Sequence, residues 1–339
     1  MTTPLSSMAR SCALGFAMTL GAGAAAQDGS GPAVLDREAG PASGLTLAGP
    51  WRAGPSLHTP RAGLSAAILD GRIYAGGGAG VVSPRTDFEM YEASTGRWRA
   101  LSPLPVGLER AAMTAADGSV WIAGGFSEDS GAEPITQMWR YSPETDAWEP
   151  APPLPAPRSA FCLLSDETAL YAVAGRQGPA GLFVFDLDAQ SWTTRSAPPE
   201  VSRGGAACAL LDGALYVMGG LLDGEATARV DVYDILQERW TQAQDLPAPR
   251  AGHAAVAIDG ALHVFGGRDS TLSRTLRDQL VYVPQARAWR EAEAMISART
   301  EAGAVALDGQ AWLIGGGSGA GVFAPFTALD SVAVYTPGP

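Results

Sequence analysis

An all-β chain of six small four-stranded antiparallel sheets is the architecture this sequence predicts. Three recurrences predict it. Arginines stand at Arg61, Arg110, Arg158, Arg203, Arg250 and Arg299; an aromatic residue precedes a tryptophan by seven positions at Tyr91/Trp98, Tyr141/Trp148, Phe185/Trp192, Tyr233/Trp240 and Tyr282/Trp289; and glycine doublets fall at Gly77-Gly78, Gly124-Gly125, Gly219-Gly220, Gly266-Gly267 and Gly315-Gly316. The period is about 45–50 residues, which marks a repeat array. The 339 residues therefore report a number of repeats and leave no room for a second domain.

The stretch Arg203 to Arg250 defines the unit. Its opening alternates small and apolar residues up to Asp212-Gly213, a dipeptide suited to a type I′ turn because both turn positions need positive φ. The run LYVM is a second, buried strand that ends at Gly219-Gly220, where the missing β-carbons let the backbone leave the sheet and approach a neighbour. VDVYD forms a third strand, and Trp240 starts a fourth, tied to the third by the pairing of its ring with Tyr233. Only the third unit departs, with Ala174-Gly175 in place of the doublet and no Asp-Gly turn, so its first hairpin is expected to be irregular.

Taken together these motifs resemble the Kelch repeat, over about Leu45 to Tyr335. The resemblance implies a six-bladed β-propeller whose loops between second and third strands project at one face around a channel mouth. Trp51 sits ten residues before Arg61, as Trp240 does before Arg250, while the sixth unit ends at Tyr335 without a tryptophan. The N-terminal segment is therefore expected to supply the outer strand of the last blade and to remove the open sheet edges.

Ahead of the repeats, Met1 to Ala26 read as a secretory signal: one charge at Arg10, a short apolar run, and Ala24-Ala25-Ala26 before Gln27. The run is shorter than the roughly 20 apolar residues that span a bilayer. From Gln27 to Gly44 a Gly-, Pro- and Ala-rich stretch reads as a flexible linker. The expectation is an exported protein, periplasmic or extracellular, with no membrane span after cleavage, and a monomer.

All 23 basic residues are arginine and the net charge is −12; an acidic chain of this kind argues against nucleic acid or anionic lipid as a partner. The loops differ from unit to unit. The fifth carries Arg268, Arg274 and Arg277, a local basic patch, and the sixth exposes Phe323 and Phe326. Since loops on a rigid scaffold carry specificity, Arg274, Arg277, Phe323 and Phe326 are candidate ligand contacts.

Two readings stand for the recurrent arginines. They form a guanidinium ring gripping a carboxylate or sulfate, or they tie linker carbonyls in every blade; a residue repeated in all units favours the second. Breaks in the symmetry carry more information. Seven residues before each hairpin aspartate, or at the equivalent step, stand Gly63, Arg110, Ala160, Gly205, Gly252 and Glu301. Four are small, and two carry opposite charges. By the Kelch resemblance this position faces the channel mouth, which makes Arg110 and Glu301 candidate ligand contacts, with Arg61 or Arg299 as companions; ion pairs with Glu109 or Arg299 are the structural alternative. His58, His253 and His263 supply no convergent ligand set, and neither the copper site of the galactose oxidase Kelch domain nor any other cofactor is expected. Cys162 and Cys208 lie in adjacent first strands. Alternation points them to opposite faces of neighbouring sheets, so two buried free thiols are expected.

No nucleophile elbow, Walker loop or dinucleotide fingerprint appears in a fitting context. The leading expectation is a binding module presenting variable loops to a protein, peptide or glycan. The alternative is a cofactor-independent enzyme similar to the periplasmic Kelch sugar mutarotases that act on N-acetylneuraminate, with Glu301 as acid/base and Arg110, Arg61 or Arg299 holding the sugar carboxylate.

Overall fold

The computed structural model describes residues 49–81, 84–131, 133–176, 181–319 and 327–338. The signal and linker expected over 1–44, like Phe323 and Phe326, lie outside the described residues. The rest form six four-stranded antiparallel sheets. The first blade comprises Ala62–Leu69, Arg72–Ala79, Phe88–Glu92 and Arg97–Ala100. The fourth repeats it as Ala207–Leu211, Ala214–Met218, Val230–Asp234 and Arg239–Gln242. First strands neighbour one another in a complete cycle, blade one meeting both blade two and blade six. They wall the central channel.

Closure comes from the N-terminal strand. Trp51–Gly54 pairs with Val332–Tyr335, and Trp51 falls opposite Tyr335, as Trp240 falls opposite Tyr233 in blade four. Each outer tryptophan also donates its indole N–H to a carbonyl of the linker leaving the preceding blade: Trp98 to Pro55, Trp148 to Ser102, Trp192 to Pro152, Trp240 to Ser196, Trp289 to Gln244 and Trp51 to Glu293, at 2.8–3.2 Å. The six bonds run once around the ring and include the seam.

Hairpins follow the turn chemistry. Asp212 and Gly213 take φ of 50° and 73°, the type I′ pattern. In blade three the first hairpin is longer, and the Asp166 carboxylate accepts from the backbone N–H groups of Thr168 and Ala169 at 2.8 and 2.9 Å. The side chain thus takes the place of the glycine turn.

Glycine doublets mark where blades meet. A β-carbon on Gly219 would lie 2.7 Å from the Arg250 carbonyl of the next blade, and the Gly220 N–H donates to that same carbonyl at 2.8 Å. Backbone touching backbone leaves no space for a side chain.

One expectation is overturned at the boundary of blades three and four. Cys162 and Cys208 form a disulfide, with Cα atoms 6.1 Å apart. The two side chains do take opposite faces of their own sheets, and this is what brings them together. In a ring the front of one sheet packs on the back of the next, so residues of opposite parity meet. Cys162 and Leu164 pack with Cys208 and Leu210, whereas Leu163 turns to blade two and Ala209 to blade five.

Candidate functional site

Six residues form a hoop at the channel mouth. The Gly63 N–H donates to the Glu301 carbonyl, Arg110 to Gly63, Ala160 to Arg110, Gly205 to Ala160, Gly252 to Gly205 and Glu301 to Gly252, all at 2.7–2.9 Å. Each blade gives one bond and takes one, so the hoop has no free end. Making both bonds requires a left-handed backbone, and all six residues have φ of 48–67°. That geometry explains why glycine recurs here and makes Ala160, Arg110 and Glu301 the exceptions.

Arg110 and Glu301 meet. The Arg110 Nη2 lies 3.1 Å from Glu301 Oε1 and 3.2 Å from Oε2, reaching from blade two past blade one to blade six. Gly63 makes this possible, since a β-carbon there would press on the Arg110 Cγ at 3.3 Å. Glu109 stands at 3.5 Å from the Arg110 Nε. The Glu301 charge, ahead of the opposing effect of burial, raises the Arg110 pKa, and Glu109 adds to it; burial pushes the Glu109 carboxyl up.

Just outside the hoop, the residue after each doublet pairs with the residue before each hoop position. These are Ala79, Phe126, Arg176, Leu221, Arg268 and Gly317. Arg268 Nη2 donates to Glu301 Oε1 at 2.9 Å, so one carboxylate serves two guanidiniums. Arg176 lies along Gly204, whose Cα leaves no room for a β-carbon beside the arginine stem. It is exposed and has no carboxylate partner among the described residues. Below the arginines the channel holds a cavity of about 240 Å³, walled mainly by Ala and Gly and by the Cys162–Cys208 bridge. A cavity of that size lies just under the usual range of small-molecule pockets, about 300–1,000 Å³.

Arg61 and Arg299, expected as companions of Arg110, are not at the mouth. Arg61 is 0% and Arg299 4% exposed. Each donates to the carbonyl sixteen residues ahead, Arg61 to Gly77 and Arg299 to Gly315, as Arg158 does to Ala174, Arg203 to Gly219 and Arg250 to Gly266. They are spokes fastening the start of each first strand to the bend after the second. Burial draws Arg158 and Arg299 down to about 10, still charged at neutral pH. In blade two buried Leu108 fills the spoke position, and Arg110, two residues later, is a hoop residue and not a sixth spoke. Arg274 and Arg277 are exposed on the fifth loop and do not line the cavity; Arg274 sits 3.8 Å from Asp269. Among the described residues no group of three His, Cys, Asp or Glu converges as a metal site, and no helix is long and apolar enough to cross a membrane.

Reading the sequence for the entry to first strands found Arg110 and Glu301 but missed Arg176 and the role of Arg268. The signal was available one position after each glycine doublet or its equivalent, where four blades carry an uncharged residue and two carry arginine.

Fold and mouth together define a closed, repeat-built six-bladed β-propeller with a charged entrance to its channel. Residues 170–336 match the KLHDC2/KLHL20/DRC7 Kelch-repeats domain and residues 109–155 match the Kelch motif. The chain belongs to the Kelch-repeat propellers. It is 26% identical to Kelch-like protein terF of Aspergillus terreus over 60% of this chain and 49% of that protein, and 29% identical to Kelch-like protein 35 of Mus musculus over 59% of this chain and 33% of that protein. It spans half or less of the length of these curated relatives. Among solved structures it is similar to YjhT, with a TM-score of 0.72 and 17% identity over 84% of this chain and 97% of the other, a likeness of fold.

Proposed function

We propose that this protein is an exported binding module whose channel mouth receives an anionic group of a protein, peptide or glycan. The observation that carries this reading is Arg176: an exposed guanidinium, without a carboxylate among the described residues, beside Arg110 and Arg268 already oriented by Glu301. Planar guanidiniums fixed in direction recognise carboxylates and sulfates through paired N–H bonds, and a small apolar-walled cavity beneath adds shape selection. Export is supported by the Cys162–Cys208 bridge, since disulfides persist in oxidising compartments, and by the leader-like Met1 to Ala26. Retention on immobilised acidic peptides and acidic oligosaccharides tests the binding role: the protein is expected to hold selected acidic members and Arg176→Ala to lose them. Equal retention by both proteins, or none, overturns it. Arg274→Ala with Arg277→Ala tests whether the fifth loop widens the contact. N-terminal sequencing of the secreted chain should begin at Gln27; a product that keeps its leader removes the export reading.

A second reading, mutarotation of an acidic sugar such as N-acetylneuraminate, is favoured by one observation, a carboxylate and an arginine 3.1 Å apart at a small cavity. Against it, Glu301 already accepts bonds from Arg110 and Arg268 and so serves their placement. Anomer exchange followed by NMR decides: a rate raised by the protein and lost in Glu301→Gln supports the enzyme, and an unchanged rate dismisses it for that sugar.

A further inference from the structure

We propose that Glu301 sets the charge of the ligand, so that the mouth accepts a singly charged oxyanion, a carboxylate or sulfate ester, and rejects a doubly charged phosphate. The inference rests on the binding role assigned above to this mouth and asks which anions it admits. Three guanidiniums, Arg110, Arg176 and Arg268, line the entrance with one carboxylate, Glu301, and a second, Glu109, stands 3.5 Å from the Arg110 Nε without lining the cavity. Among the described residues one positive charge is left uncompensated, and it resides on Arg176. A single negative charge can meet it without disturbing anything. A second negative charge must approach Arg110 or Arg268 and there meets Glu301, whose carboxylate is bonded to both at 2.9–3.2 Å. Like charges brought together in a part-buried cavity repel far more strongly than in water.

The backbone supports a functional account of this carboxylate. Both Glu301 and Arg110 sit at hoop positions with φ of 53°, a conformation that costs a non-glycine residue free energy and is retained where something else requires the side chain. The two charged exceptions to the hoop are bonded to each other across an intervening blade, and the second oxygen-bound arginine comes from the blade next to Glu301. The arrangement places one carboxylate between two arginines and leaves the third arginine without a carboxylate among the described residues.

Methyl sulfate and methyl phosphate test the rule, being similar in shape and differing in charge at about pH 8, since the second phosphate ionisation lies near 6. Binding is read from broadening of the ligand methyl signal on titration with the full-length protein. The protein is expected to prefer methyl sulfate. Glu301→Gln, nearly isosteric, is expected to move the affinity ratio toward methyl phosphate by roughly tenfold or more, while Glu301→Asp, which keeps the charge, holds the original preference. A ratio unchanged in Glu301→Gln, or shifted equally in Glu301→Asp, overturns the charge rule while leaving the binding role intact. Failure of the protein to broaden either signal overturns both. Thermal melts of all three proteins establish that each is folded.

Discussion

Trp51 lies opposite Tyr335 in the sixth sheet with ring centroids 5.0 Å apart, so the first described strand and the last strand rebuild the aromatic pair that the other five blades carry within one stretch of chain. Its indole bond to Glu293 extends the tie to blade five. Trp51→Ala removes both and leaves a cavity beside Phe265; a loss of about 3–5 kcal/mol in denaturant unfolding is expected. A loss below about 1 kcal/mol would mean the seam does not depend on this residue.

The disulfide joins residues separated by 46 positions. Constraint of the unfolded chain over a loop of that length contributes about 4 kcal/mol in the chain-entropy account. Replacing both cysteines by alanine, or adding reductant, should lower the unfolding midpoint accordingly, and non-reducing peptide mapping should recover the Cys162–Cys208 pair. A map with two free thiols would refute the bridge.

Arg203 donates to carbonyls of Glu200, Val217, Gly219 and Arg229 and pairs with buried Asp231. Arg203→Met leaves those buried carbonyls without their donor and Asp231 with Arg229 as its remaining partner, and a cost of about 2–4 kcal/mol is expected. Arg274→Ala, on an exposed loop, should change stability by less than about 0.5 kcal/mol. Similar effects for the two would dismiss the distinction between spokes and loop arginines.

The hoop makes a paired prediction. Gly205→Ala puts a β-carbon 3.2 Å from the Gly252 nitrogen at a φ of 66° and should destabilise by about 1–2 kcal/mol. Ala160→Gly, at φ 48°, relieves the same strain and should be neutral or stabilising by up to about 1 kcal/mol. Urea titrations of both variants suffice to compare the signs.

Acidification should weaken the fold through two histidines. His253 is held down to about 3 by burial and then by the Arg250 charge, and His263 to about 4 by burial and then by Arg290. Each therefore binds a proton more readily unfolded, near 6.5, than folded. Their contribution is complete above about pH 6.5 and is lost as pH falls toward 4 for His263 and 3 for His253. His253→Phe should flatten the fall in urea midpoint over that window; an unaltered pH profile would show that His253 is not responsible.

Most of the architecture was legible because each repeat states its own turns and contacts. Asp-Gly marks the hairpins, the doublets mark backbone-to-backbone contact, and the missing tryptophan of the last unit points to Trp51. Arg110 and Glu301 stood out because they break a small-residue register. What did not show was curvature. Parity along a strand says which face a side chain takes, but only the ring tells which neighbouring face it meets, so Cys162 and Cys208 were assigned apart. Arg61 and Arg299 were offered as ligand contacts because a repeated cation looks alike whether it points to solvent or to carbonyls sixteen residues ahead. Arg176 follows Ala174-Gly175, the one unit whose glycine doublet is broken, and the position after the doublet shows its place at the mouth only through its pairing with the residue before the hoop.

The bridge between blades three and four lies across the circle from blade six, where the chain is held only by unlinked strands. Strain applied to the circle therefore has one joint that can part and, opposite it, one that cannot. Thermal opening would begin beside Trp51 and swing about Cys162 and Cys208, like a bracelet with a clasp and a rivet, and the arginines near the rivet would keep their places longest.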